Sequence, residues 1–154
     1  MCLVLYISSD RERPVIPWDE KAPRFHVKSD DPDSQKARVH FSKPNVYYLG
    51  SDNGCGCGFK QQSDYAIDKP EELASKRDNQ LRLHDYIKAC LIDEEVVELF
   101  SCWSGDEGEA VESRRDVVLA DLIEPDFYFS ERQLTKVFKA ANQTLQATAA
   151  TPRR

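Results

Sequence analysis

The chain has 154 residues and carries 21 Lys plus Arg against 27 Asp plus Glu, a formal net charge of −6. That length suits one globular domain with a real core, placed at residues 1–146, followed by a small, polar and disordered tail at 147–154. The acidic balance, without a basic stripe in any segment, excludes a nucleic-acid footprint spread over many phosphates. The apolar runs are too short to span a bilayer, and the start at Met1 lacks the basic residues of a secretory signal.

The expectation is therefore a cytoplasmic protein that engages neither nucleic acid nor membrane. Five cysteines, an odd number with no regular spacing apart from Cys55 and Cys57, argue against a disulfide framework and for reduced thiols.

In chain order, Cys2 to Ile7 is apolar on both faces and rich in β-branched and aromatic residues, as in a central strand covered on both sides. Asp10 to Pro23, with three prolines and the isolated Trp18, reads as an irregular surface segment. Arg24 to Lys28 and Arg38 to Ser42 alternate as strands. With opposed residue numbers summing to 66, Phe25 faces Phe41 and Val27 faces Val39 on one surface, and His26 faces His40 on the other. Val46 to Ser51 continues this meander through a turn at Ser42 to Asn45.

Residues 50–59, Gly-Ser-Asp-Asn-Gly-Cys-Gly-Cys-Gly-Phe, hold four of the six glycines. Asn53-Gly54 between two extended segments is a strong hairpin signal, because both residues tolerate positive φ. The register then pairs Tyr48 with Phe59 and Gly50 with Cys57, and turns the Cys57 thiol toward the apolar side.

Pro70 to Ile92 reads as a helix with proline in its first turn and Glu71 and Glu72 complementing the dipole. Its apolar arc holds Leu73, Leu83, Ile87, Cys90 and Leu91, with Gln80 and His84 at the border. Glu95 to Trp103 and Val117 to Leu122 read as strands. Ser130 with Gln133 forms a capping box that opens a second helix to about Leu145. The sum is an α+β domain: an antiparallel or mixed sheet of five to six strands with two helices packed on one face.

Candidate chemistry centres on sulfur. Cys55 and Cys57, in the Gly54–Gly58 hairpin, offer two soft donors to zinc or iron, or a redox pair, with Cys2 and Cys90 as possible third and fourth thiols. On an extended strand, however, residues two apart are separated by about 6.6–6.8 Å with parallel side chains, which hinders both chelation and a disulfide. In that register Cys55 and Cys57 are small buried hydrophobes, and the imidazoles of His26 and His40 lie on the opposite face from Cys57.

Met1-Cys2 before an apolar strand resembles the start of N-terminal nucleophile hydrolases, in which the α-amino group of a terminal cysteine acts as base. The resemblance covers two residues. Leu3 stands where glutamine amidotransferases of that class have glycine, and the chain is short for their four-layer sandwich. The carboxylates of Asp106, Glu107 and Glu109 suit a hard cation such as magnesium, but their spacing departs from the calcium loop and a solvated turn is expected.

No catalytic constellation can be assembled from these residues, and no cofactor is implied. The expected role is a small interaction domain that binds a protein partner or copies of itself through aromatics such as Trp18, Tyr47 and Trp103. The alternative is a thiol-centred metal-binding or redox protein.

Overall fold

The structure, a computed structural model, describes residues 2–60 and 69–140. Six strands form one mixed sheet: β1 (Leu3–Ser9), β2 (His26–Lys28), β3 (Asn45–Gly50), β4 (Val96–Trp103), β5 (Ser113–Val118) and β6 (Gln133–Phe138), in the order β2-β3-β1-β4-β6-β5. All neighbours are antiparallel except β5 and β6. Two helices, α1 (Ser34–Ala37) and α2 (Pro70–Cys90), complete an α+β fold.

β1 is central because it is apolar at every pleat, and all seven of its residues are buried. Leu3, Leu5 and Ile7 point to the face covered by α2, where they join Leu49, Leu83, Ile87, Cys90, Leu91, Val97, Leu99 and Val137. Val4 and Tyr6 point to the other face, with Val46, Tyr48, Phe100, Cys102 and Leu134, under Ala37 of α1 and Phe41. The two helices thus cover opposite faces rather than one. Leu73, expected in the buried arc of α2, is exposed.

The local meander is replaced by long-range pairing. β2 pairs with β3, placing His26 opposite Gly50 and Val27 opposite Leu49, and β3 pairs with β1. The stretch expected as a strand at 38–42 instead closes α1 with a 3-10 turn, Arg38–His40, and Val39 is 74% exposed. Five alternating residues cannot distinguish a strand from a short helical turn, and β3 satisfies both its edges with β1 and β2, leaving none for 38–42. His26 and His40 consequently lie far from their expected pairing. His26 is buried edge-on to Trp18, and His40 stacks on Phe100 at 4.0 Å and hydrogen-bonds the Glu107 carbonyl at 2.7 Å.

The capping box at Ser130 forms only in part and opens no helix. The Ser130 N–H donates to Gln133 Oε1 at 3.3 Å, but Arg132 takes φ of +46° and the chain runs on as β6 between β4 and β5. Leu134 and Val137 are anchored in opposite faces of the sheet, so tertiary pairing overrides the local signal. Residues 141–145 of the expected helix, and the expected tail at 147–154, lie outside the described residues. The strand expected at 117–122 begins earlier, as β5, and gives way to a 3-10 turn at Leu119–Ile123.

The irregular segment after β1 is pinned by charge. Arg13 pairs with Asp93 at 2.6 Å and with Glu94, and Lys43 reaches Glu94 at 2.9 Å. Glu94 also accepts from Ser9 Oγ and, at 2.8 Å, from the Asp10 N–H. These bonds outweigh the burial that would raise its pKa, and its carboxyl is held down at about 2. Among the described residues no helix is long and apolar enough to cross a membrane.

Candidate thiol site

The glycine-rich segment is a knot, not a hairpin. After β3 the Ser51 N–H donates to the Cys55 carbonyl at 2.8 Å. Ser51 Oγ donates to the same carbonyl at 2.6 Å and accepts from the Gly58 N–H at 2.9 Å. Gly54 supplies the positive φ of the reversal, +83°. The chain then closes into a 3-10 turn, Gly56–Gly58, instead of a strand. From α2, Asn79 Nδ2 donates to the Gly58 carbonyl at 3.2 Å and Lys76 Nζ to the Cys57 carbonyl at 2.8 Å. Gly56 sits so tightly on β1 that a Cβ there would fall 2.8 Å from the Leu3 carbonyl oxygen.

That turn removes the geometric objection to Cys55 and Cys57 acting together. Their sulfurs converge, and Cys2, at the head of β1, joins them: the three Sγ atoms all lie within 4.8 Å of one another. Cys2 is held in place by its carbonyl, which accepts the Ser104 N–H at 2.7 Å. Two backbone donors face the cluster, with the Leu3 N–H 3.3 Å from Cys57 Sγ and the Cys57 N–H 3.4 Å from Cys55 Sγ.

Cys55 and Cys57 are half-buried and Cys2 is exposed. Burial, with hydrogen bonds to the neighbouring thiols of Cys57 and Cys2, pushes the Cys55 thiol up to about 12. Among the described residues, no other group of three His, Cys, Asp or Glu donors converges in this way.

Cys90 does not join them. It is buried between α2 and the sheet, where burial holds its thiol up at about 11. Cys102 is buried on the opposite face. Beside Cys2 and Cys55 opens a cavity of about 230 Å³, lined also by Tyr6, Tyr48, Lys28, Asp31 and Glu107. Lys28 Nζ lies 4.9 Å from the centre of the Tyr48 ring and 4.0 Å from Asp31 Oδ1, while Asp31 Oδ2 is buried without a hydrogen-bond partner.

Glu107, expected in a solvated turn, is 1% exposed and accepts from the Gly105 N–H at 2.9 Å and from Tyr6 Oη at 3.4 Å. Sequence reasoning missed Tyr6, Tyr48, Asp31 and Glu107 as neighbours of the thiols, because only long-range strand pairing brings them there. The one legible signal was Cys2, whose central strand could approach the glycine-rich turn.

Of the aromatics expected at an interface, Tyr47 is buried and its hydroxyl accepts the Arg13 N–H at 2.8 Å, Trp103 is half-buried against the core, and Trp18 rests against His26 and is 37% exposed. Comparison with protein-family models, with curated proteins and with solved structures finds no match.

Proposed function

We propose that this protein binds a thiophilic metal ion, zinc in first place, through Cys2, Cys55 and Cys57. The observation that carries this reading is the convergence of three sulfurs from two distant parts of the chain. Sulfurs at about 2.3 Å from a tetrahedral zinc lie about 3.8 Å apart, a spacing within the observed separation. Backbone N–H groups aimed at sulfur favour thiolate over thiol, as a metal–thiolate site requires.

Three protein sulfurs leave one position of a tetrahedral ion for an outside ligand, the pattern of open rather than closed zinc sites. The cavity lined by Tyr6, Tyr48, Lys28, Asp31 and Glu107 lies beside the sulfurs and gives such a ligand a place.

The metal reading is preferred to thiol redox chemistry because three sulfurs converge where a redox pair needs two. A redox nucleophile needs a lowered pKa, whereas Cys55 is pushed up to about 12. A bound cation reverses this and deprotonates the thiols it touches. The test is equilibrium titration of the apo chain with Zn(II), and with Co(II) as a spectroscopic probe. One ion per chain and a sulfur-to-cobalt charge-transfer band support the proposal. Absence of stoichiometric binding, or binding retained when Cys2, Cys55 and Cys57 are all serine, overturns it.

A further inference from the structure

A second cavity, remote in character from the thiols, lies between α2 and the turn that follows β5. At about 540 Å³ it falls within the range of small-molecule sites. Its walls are apolar and include Leu73, Leu81 and Ile123, large hydrophobic side chains left 43%, 38% and 40% exposed. Three of the seven exposed large hydrophobic residues among those described are thus gathered in one groove, where scattered single exposures would call for no account.

Lys60, Lys76 and Arg77 also line it; Lys60 Nζ donates to the Glu124 carbonyl at 3.3 Å and Lys76 Nζ to the Cys57 carbonyl at 2.8 Å, while Arg77 is exposed. A second, independent feature points to a ligand with an acceptor. Gln80 lines the groove and is 1% exposed. Its Oε1 accepts the Lys60 N–H at 3.3 Å, which fixes the orientation of the amide, and its Nε2 is then buried with no hydrogen-bond partner. A buried donor without an acceptor is destabilising, so this geometry favours a partner that brings one.

We infer that this groove binds a medium-chain carboxylic acid, its hydrocarbon tail against Leu73, Leu81 and Ile123 and its carboxylate beside Arg77 and the amide of Gln80. The apolar wall supplies affinity and the Arg77 guanidinium selects the head group. A neutral or cationic amphiphile of equal length shares the first contribution and loses the second.

The test uses the full chain with methyl-labelled Leu and Ile, titrated separately with octanoate, octan-1-ol and octylamine and followed by NMR. The methyls of Leu73, Leu81 and Ile123 should shift saturably with octanoate, and octylamine should bind about tenfold more weakly or worse, a difference of about 1.4 kcal/mol. Arg77→Glu, at an exposed position, should abolish that preference without loss of fold, and Gln80→Met should weaken octanoate more than octan-1-ol. No saturable shift at these methyls at millimolar octanoate, or equal binding of octylamine, overturns the inference.

Discussion

The backbone N–H of Leu3 meets the sulfur of Cys57 at 3.3 Å, tying the first residue of the central strand to a turn 54 positions later. This contact exists because Gly56 has no side chain. A methyl there would press on the Leu3 carbonyl at 2.8 Å, a backbone atom that cannot swing aside. Gly56→Ala should therefore lift the turn from β1 and spread the sulfurs while leaving all three in the chain. The expected outcome is a loss of zinc affinity of about tenfold or more, with a stability cost of about 1–3 kcal/mol, the usual range for overpacking. Competition titration against a chromophoric chelator, with a thermal melt of the apo protein, checks both.

The five cysteines should separate into two behaviours. Cys2→Ser, Cys55→Ser and Cys57→Ser each remove a donor and should weaken metal binding about a hundredfold or more, by loss of a coordinated thiolate. Cys90→Ser and Cys102→Ser place a hydroxyl among buried apolar groups. They should cost about 1–3 kcal/mol of stability and leave metal affinity unchanged. Parallel zinc titrations and urea melts of the five variants make the comparison.

Metal binding should also release protons. Cys55, with its thiol at about 12, is protonated at neutral pH until an ion displaces the proton. Zinc affinity should consequently rise with pH between 6 and 8 by at least about tenfold per unit, on the basis of one proton per ion. Calorimetry in buffers of different ionisation enthalpy counts those protons, and a count of zero contradicts the site as described.

Stability should depend on the carboxylate that fastens the irregular segment. Glu94, with Arg13 and Lys43, is almost wholly buried. Glu94→Ala leaves those cations without their shared partner, and the expected loss is about 3–5 kcal/mol by urea denaturation. The sign of its pH effect follows from its depressed value. The folded carboxyl titrates at about 2 against an ordinary 4.5. Its stabilisation is therefore complete above 4.5 and is lost as pH falls from 4.5 through 2.

His26 adds a second window. Burial lowers its pKa from an ordinary 6.5, so the unfolded chain takes up the proton first and stability begins to fall as pH drops below about 6.5. Unfolding free energies measured from pH 7 to pH 2 should show both declines, the upper one absent in His26→Gln and the lower one reduced in Glu94→Gln.

The extent to which the sequence announced this structure differs by element. β1, β3 and β4 were legible from their dense apolar runs, and α2 from its length, its first-turn proline and acidic residues, and the buried Leu83, Ile87 and Cys90. The short signals divided: the run at 24–28 became β2, but 38–42 became a helical turn and the Ser130 box began a strand, because long-range pairing decides such segments.

The thiol site was half legible. The residue types were in view, but assuming an extended strand at 55–57 set their sulfurs parallel, whereas Gly56 sits close against β1 and the segment curls. Cys90 was drawn into the ligand set by its helix facing the sheet, yet it faces a different part of that sheet. Asp31 and Glu107 reach the cavity only through folding of distant loops, which no local pattern encodes.

The most direct test of the three-thiolate centre is X-ray absorption at the metal edge of the zinc-loaded chain. Three sulfur scatterers at about 2.3 Å, with one lighter neighbour at about 2.0–2.1 Å, are predicted. A first shell made only of nitrogen and oxygen, or one sulfur alone, would contradict the assignment of Cys2, Cys55 and Cys57 as its ligands.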